Sequence, residues 1–243
     1  MVLSRIESII RKSALEIIPH VYQLTTRGVN IIIIVEKELT LIDTGFRGSA
    51  PKIIRFIRSL GRSEEEISLI IITHNHFDHI GGLAELRRLT KAKVAVHKAD
   101  ISDIENELPY PRIWRKLLRI PPFSALRSFF SINPNEIDIQ LGGGEVLKPL
   151  GGLQVIHTPG HTPGSISLFS PQNKLLIVGD ILNARFKNIR SSPKSVSTDL
   201  MQVMESVKKI ARLDFNVLCF GHGRPLTRDT RTALQKLIEK IKV

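Results

Sequence analysis

The sequence predicts an α/β or α+β fold with mixed β-sheets, and three observations support this. Short, β-branched apolar runs typical of buried strands recur along the chain. Amphipathic segments with helical spacing lie between them. Several neighbouring strands are separated by only a few turn residues, which is typical of antiparallel hairpins. Together the alternation and the hairpins favour mixed sheets over purely parallel ones.

The first elements are three strands and a helix. Strands are predicted over residues 21–26, 30–35 and 39–42, and the charged turn at residues 36–38 makes the last two a hairpin. Residues 51–60 alternate isoleucines with lysine and arginine at helical spacing, so they predict an amphipathic helix that ends at Gly61.

The remaining elements follow the same logic. Residues 67–72 are continuously apolar and β-branched, which is typical of a strand buried on both faces. Further strands are predicted over residues 94–97, 145–147, 153–156, 165–169, 174–178 and 216–220, and further helices over residues 83–89, 198–213 and 227–241. No fixed-period repeat or Gly/Ser-rich linker divides the chain, so we predict one domain over residues 1–243.

Composition excludes several classes of protein. The chain is 42% hydrophobic and 24% charged, which excludes a mainly disordered chain. The longest aliphatic run, residues 31–35, is far shorter than the roughly 20 residues that span a bilayer. No signal-peptide pattern is visible, and the single cysteine, Cys219, cannot form an intrachain disulfide. We therefore expect a cytoplasmic protein without membrane association.

The charge balance is strongly basic. Lysine and arginine number 35 against 23 acidic residues, a formal net charge of +12. Such a balance favours an anionic partner, either a small anionic substrate or, less favoured, nucleic acid, or it reflects a basic composition across the source's proteins. It gives no oligomeric state.

Five apolar strands end in residues that can bind a metal. They lead to Asp43, to residues 73–79, to His161, to Asp180 and to His222. Rigid strands that project side chains from their ends can bring distant sequence positions to one point. The sequence therefore predicts a metal centre at the strand ends.

The cluster of His74, His76, Asp78 and His79 is the most informative of these. In an extended segment, residues two apart point the same way, so His74, His76 and Asp78 could share a side. His79 would then face elsewhere, which indicates a second metal. Imidazole and carboxylate ligands suit zinc.

The segments 74–79, 158–164, 178–180 and 220–223, with Leu41-Ile42-Asp43-Thr44-Gly45, resemble the metallo-β-lactamase superfamily in type and order. The resemblance implies a four-layer αββα sandwich of two mixed sheets with two divalent metal ions, most favourably Zn²⁺, with Fe or Mn as alternatives. It implies that His74, His76 and His161 bind the first metal, that Asp78, His79 and His222 bind the second, and that Asp180 bridges both. Asp43 would hold a ligand or its loop.

The resemblance also implies an activity. His76 stands where the flavin-linked diiron reductases of this superfamily usually have Glu, which favours the hydrolases. Two cations lower the pKa of a bridging water, so a metal-bridging hydroxide would attack a thioester or other carboxylic ester, as in the glyoxalase II-like branch. Asp78, which could orient that hydroxide, and Asp180 are the catalytic candidates. The residues after His222 are too few to form the glutathione-binding domain of full glyoxalase II enzymes. We therefore do not expect the glutathione thioester itself to be the substrate.

Three alternatives stay open: a lactonase, a nuclease or phosphodiesterase of the tRNA 3′-processing type, and a mononuclear iron persulfide dioxygenase-like enzyme. Residues 100–135 lie where this superfamily often has a substrate-capping insertion. Its Arg112, Arg115, Lys116, Arg119 and Trp114 would either receive an anionic substrate or form a solvated helix face. After Asp180, Arg185, Lys187 and Arg190 form a second basic set near the expected metal centre. Substrate-binding residues are not identified by the sequence.

Overall fold

Two mixed sheets organise the computed structural model, which describes residues 14–101, 120–121, 132, 134–185 and 188–241. The first sheet has the strand order β1-β2-β3-β4-β5-β6-β7. Its strands are β1 (Ala14–Ile18), β2 (Val21–Thr26), β3 (Val29–Val35), β4 (Leu39–Ile42), β5 (Ile67–Ile71), β6 (Lys93–His97) and β7 (Ile139–Leu141). Pairing is antiparallel from β1 to β4 and parallel from β4 to β7, and the predicted β3–β4 hairpin is confirmed.

The second sheet has the order β14-β11-β10-β9-β8. Its strands are β8 (Val146–Leu147), β9 (Leu153–His157), β10 (Ile166–Ser170), β11 (Leu175–Ile177) and β14 (Val217–Cys219). Only the β11–β14 pair is parallel. A separate hairpin joins β12 (Leu182–Arg185) to β13 (Asn188–Ser191).

Helices α1 (Ala50–Ser59) and α3 (Leu83–Leu89) cover the outer face of the first sheet, and α4 (Leu200–Ile210) and α5 (Thr230–Ile241) cover that of the second. The four-residue helix α2 (Phe77–Ile80) lies in the segment that follows β5. One apolar layer joins the first sheet to α1 and α3, a second lies between the sheets, and a third joins the second sheet to α4 and α5. This is the predicted four-layer αββα arrangement, which is confirmed.

Strand β5 illustrates why the first sheet is apolar on both faces. Ile70 belongs to the layer under the helices, whereas Ile71 belongs to the layer between the sheets. The continuous apolar run therefore forms a strand covered on both sides, as its pattern predicts.

Some elements were not predicted. Strands β1, β7, β12 and β13 and helix α2 are additional, because each is short and its apolar residues do not repeat over enough positions to give a periodic signal. Most of the expected 100–135 insertion, including Arg112, Arg115, Lys116, Arg119 and Trp114, lies outside the described residues, as does Lys187. Within the described part of the chain, no helix is both long and apolar enough to cross a membrane.

The two sheets meet at the edge where β4, β5, β9, β11 and β14 all end. Backbone hydrogen bonds cross from sheet to sheet there, from Ile166 N to Thr73 O at 2.9 Å and from Asn30 N to Gly221 O at 2.8 Å. The loops that carry the predicted ligands therefore converge at one edge.

Candidate metal centre

Three buried histidines from two different sheets lie together at this edge. His74 and His76 follow β5, and His161 follows β9. One nitrogen from each ring lies within 4.8 Å of the others. The ring of His161 is 4.7 Å from that of His74 and 4.4 Å from that of His76, centroid to centroid. We call these three residues the first group.

Asp78, His79 and His222 form a second group, again with ligand atoms within 4.8 Å of one another. A carboxylate oxygen of Asp78, Oδ2, lies 3.7 Å from His79 Nε2 and 3.4 Å from His222 Nε2. The prediction from extended spacing, that Asp78 shares a side with His74 and His76, is wrong. The chain turns into helix α2 at Phe77, so the alternation of strand side chains stops before Asp78.

Asp180 lies between the two groups. Its Oδ2 is 3.9 Å from His74 Nε2 and 3.7 Å from His161 Nε2 in the first group. The same oxygen is 3.6 Å from His79 Nε2 and 3.1 Å from His222 Nε2 in the second. One carboxylate therefore faces four imidazole nitrogens, two from each group.

Gly221 makes room for this arrangement. A Cβ at residue 221 would lie 2.0 Å from Asp180 Oδ1 and 2.7 Å from His79 Cε1. Because real Cβ atoms do not approach so closely, any side chain at this position would displace Asp180 or His79. The glycine before His222 is therefore a steric requirement of the site.

The donor set fits divalent cations. Nε2 of His74, His79 and His161 and Oδ1 of Asp180 are buried without a hydrogen-bond partner. Leaving polar atoms buried and unpaired is costly, and such atoms in a native fold require an explanation. Nitrogen and carboxylate ligands converging on one point are those that zinc and similar ions accept.

Contacts from outside the two groups fix four of the imidazole rings, and the first of these is His74, whose Nδ1 lies 3.0 Å from Thr73 Oγ1. Asp43 Oδ2 is 2.8 Å from His79 Nδ1, and the same carboxylate accepts hydrogen bonds from the backbone N–H and the hydroxyl of Thr73. Ser192 Oγ lies 2.7 Å from His161 Nδ1, and Gly28 O lies 3.0 Å from His222 Nδ1. Each contact directs the opposite nitrogen, Nε2, toward the centre.

Sequence reasoning did not identify Ser192 or Gly28. Ser192 stands in a polar run after β13, and Gly28 in the β2–β3 turn, so neither carries a pattern that distinguishes it from an ordinary loop residue. Their roles depend on long-range contacts. Ser192 lies 31 positions from His161 in the chain, and Gly28 lies 194 positions from His222.

The charges of the two groups differ in the metal-free protein. Burial lowers the pKa of His74 well below its usual value and that of His161 to about 3. Burial also acts to lower the pKa of His79 and His222, but nearby carboxylates outweigh it. Asp180 and Asp43 hold the pKa of His79 well above its usual value, and hydrogen bonds to Asp180 and Asp78 raise the pKa of His222 to about 10.

Histidines outside the two groups have other surroundings. His157 stacks on His97 with the ring centroids 4.0 Å apart, and its Nε2 lies 2.8 Å from Pro163 O. His20 is exposed at the β1–β2 turn. Cys219 is buried in the layer between the sheets, where burial raises the pKa of its thiol.

Comparisons with known proteins agree with this geometry. The model of the metallo-beta-lactamase superfamily matches residues 24–222. A probable metallo-hydrolase of Bacillus subtilis is 28% identical over 215 residues, 83% of this chain and 81% of that protein. A hydroxyacylglutathione hydrolase of Ectopseudomonas mendocina is 29% identical over 138 residues, which are 56% of this chain and 40% of that protein.

Solved structures agree on the fold. A metallo-beta-lactamase family protein from Thermus thermophilus superimposes with a TM-score of 0.71 at 21% identity, over 93% of this chain and 81% of that one. The family model covers most of the chain, and the matched range includes the residues of both groups. The chain therefore belongs to the metallo-beta-lactamase superfamily and is a metal-dependent hydrolase.

Proposed function

We propose that the protein is a binuclear hydrolase of thioesters or other carboxylic esters, similar to the glyoxalase II branch. The observation that carries the binuclear part is the position of Asp180. Its Oδ2 lies 3.1–3.9 Å from one nitrogen of each of four histidines. A carboxylate shared in this way suits two cations, one in each group, with Asp180 bridging them.

In this proposal His74, His76 and His161 hold one divalent ion, and Asp78, His79 and His222 hold the other. Zinc is the favoured ion because imidazole and carboxylate are ligands that it accepts. Two such ions, when bound, supply hydroxide near neutral pH and polarise the carbonyl oxygen under attack. Asp43 keeps the ring of His79 in place, and Ser192 does the same for His161.

The second group is the side open to substrate. The side chain of His222 is 37% exposed, whereas those of His74 and His161 are at most 2% exposed. In this proposal, substrate therefore approaches past His222. The net charge of +12 favours a small anionic substrate.

The choice of a thioester or ester rests on relatives. A hydroxyacylglutathione hydrolase of Haemophilus influenzae is 28% identical over 148 residues, 60% of this chain and 62% of that protein. Thioester and ester hydrolysis both need hydroxide and a stabilised oxyanion, which the same centre can provide.

The test combines metal content with turnover on freshly purified protein. We expect about two zinc ions per chain and turnover of thioester or lactone substrates that chelation abolishes and zinc restores. Turnover of a bis-phosphodiester in their place would favour the nuclease, and one iron per chain with oxygen uptake would favour the dioxygenase. Either result would contradict the proposal.

A variant pair separates loss of the site from loss of the fold. Asp180→Asn keeps the shape of the side chain but removes the shared charge. We expect it to lose more turnover than the roughly 10–100-fold that follows removal of a supporting partner. His20→Gln, at an exposed turn, is the matched control and should keep both metal and turnover.

A further inference from the structure

We infer that Asp100 is a positioning residue that holds the first metal group together. This rests on the proposed function, because it assumes that His74, His76 and His161 bind a metal. Asp100 ends the short 3₁₀ turn after β6 and is 1% exposed. It does not belong to either group of potential ligands.

The carboxylate of Asp100 joins two ligand-bearing loops. Asn75, which lies between His74 and His76, donates its backbone N–H to Oδ2 at 2.8 Å. Thr162, next to His161, donates its hydroxyl to the same oxygen at 2.7 Å, and Gly164 donates its backbone N–H to Oδ1 at 2.6 Å. The Asn75 side chain also donates to the backbone carbonyl of Asp100 at 2.9 Å.

These two loops come from different sheets. The first follows β5 of the first sheet and the second follows β9 of the second sheet, so their relative position sets the distance from His161 to His74 and His76. Both oxygens of Asp100 accept hydrogen bonds from these loops, so it acts on the metal site through the loops alone.

The fit at Asp100 is close. A Cβ at Gly164 would lie 2.6 Å from both the Cγ and the backbone N of Asp100. The loop after His161 therefore passes directly against this carboxylate, and glycine is required there. Two of the three donors to the carboxylate are backbone N–H groups that need an acceptor, since a buried unpaired N–H is costly.

Asp100→Asn is the informative variant. It keeps the shape of the side chain but replaces one acceptor oxygen with an NH₂ group that faces donors. We measure zinc affinity by chelator competition in two backgrounds, His222→Ala, which leaves the first group intact, and His161→Ala, which leaves the second intact. We expect Asp100→Asn to weaken zinc binding about 10–100-fold in the first background and less than about 3-fold in the second.

Asp138→Asn is the control. Asp138 also accepts a backbone N–H, from Val94 at 2.9 Å, but it lies near the surface and belongs to neither loop. It should change zinc affinity in neither background. Thr162→Val, which removes only the hydroxyl donor, provides a second variant if Asp100→Asn does not fold, and it should weaken the first group by a smaller factor.

The outcomes separate the two proposals. A lower urea midpoint with unchanged zinc affinity of the folded protein would make Asp100 merely structural and overturn the inference. Equal weakening in both backgrounds would also overturn it, because the effect would then not be specific to the first group. If the unaltered protein binds no zinc, the proposed function fails, whereas normal binding with an inert Asp100→Asn overturns only the inference.

Discussion

The two metal groups differ in the protonation of their histidine rings. In the metal-free protein, the pKa of His74 lies well below its usual value and that of His161 at about 3, so both rings are neutral at pH 7. The pKa of His79 lies well above its usual value, and that of His222 lies at about 10, so the ring of His222 is protonated at pH 7. A metal ligand must be deprotonated, so His74 and His161 of the first group are ready for a cation at neutral pH, whereas His222 of the second group must first lose a proton.

Zinc affinity should therefore depend on pH more steeply in the second group than in the first. Because the pKa of His222 is about 10, its ring holds a proton that zinc must displace, so the affinity of the second group should rise with pH through the neutral range. Each displaced proton contributes about tenfold per pH unit. The affinity of the first group, in which the rings of His74 and His161 are already neutral, should change less.

Titration calorimetry at several pH values around neutrality, in buffers of different ionisation enthalpy, counts the protons released. The His222→Ala background isolates the first group, which should release fewer protons because His74 and His161 are already neutral. Equal proton release in both groups would contradict the asymmetry.

At the scale of elements, the loop that carries His222 is fastened to the β2–β3 hairpin by Asn30. Its side-chain NH₂ donates to Phe220 O at 2.9 Å and to Gly223 O at 2.7 Å, on either side of His222. Its Oδ1 accepts from Gln23 Nε2 at 3.0 Å. The hairpin therefore fixes the position of a ligand that lies far along the chain.

Asn30→Ala should both destabilise the fold and loosen the second group. The substitution removes the hydrogen bonds that the buried Asn30 amide donates to the carbonyls of Phe220 and Gly223. We therefore expect the free energy of unfolding to fall by about 2–4 kcal/mol. Zinc affinity should fall in the His161→Ala background. Urea unfolding and chelator competition measure the two effects.

Asn173→Ala is the matched control for this prediction. Asn173 also donates through its amide, to Ser170 Oγ at 2.9 Å, but it is exposed at the β10–β11 turn. It should change the free energy of unfolding by no more than about 0.5 kcal/mol. A loss as large as that of Asn30→Ala would show that removing an exposed amide destabilises this fold as much as removing a buried one.

The lengths of the strands and helices explain which site residues the sequence could predict. Strands that end in Asp43, His161, Asp180 and His222 carry a strong pattern, because each is an apolar run that stops at a polar residue. Helix α2 has only four residues, too few for a periodic signal, yet it decides that Asp78 lies with His79. Hydrophobic periodicity identifies only long elements. Here a single helical turn determines the direction of the Asp78 and His79 side chains.

Supporting residues could not be predicted for a different reason. Asn30, Asp100 and Ser192 act through contacts with residues far away in the chain. In the sequence each is a polar residue without a distinguishing pattern, and only the packing of two sheets gives it a partner. Residues that hold ligands in place are therefore harder to find from sequence than the ligands themselves.

At the scale of the whole molecule, the proposed metal centre joins the two sheets. His74, His76, Asp78 and His79 follow β5 of the first sheet, whereas His161, Asp180 and His222 follow strands of the second. Each group contains ligands from both sheets. The apolar layer between the sheets holds them face to face, and bound cations would hold them at the edge as well.

Metal binding should therefore stabilise the fold, since a ligand that binds only the folded state lowers its free energy. At zinc about 100-fold above its dissociation constant, the gain is about 2.7 kcal/mol per site. For a chain of this size, each occupied site corresponds to a rise in Tm of about 5–10 °C, measured by circular dichroism with zinc and with chelator. Asp180→Ala should show a smaller rise, because it removes the one carboxylate that both groups share. No rise in the unaltered protein would mean that the sheets are held together by their apolar layer alone, and an equal rise in the variant would mean that Asp180 has no part in zinc binding.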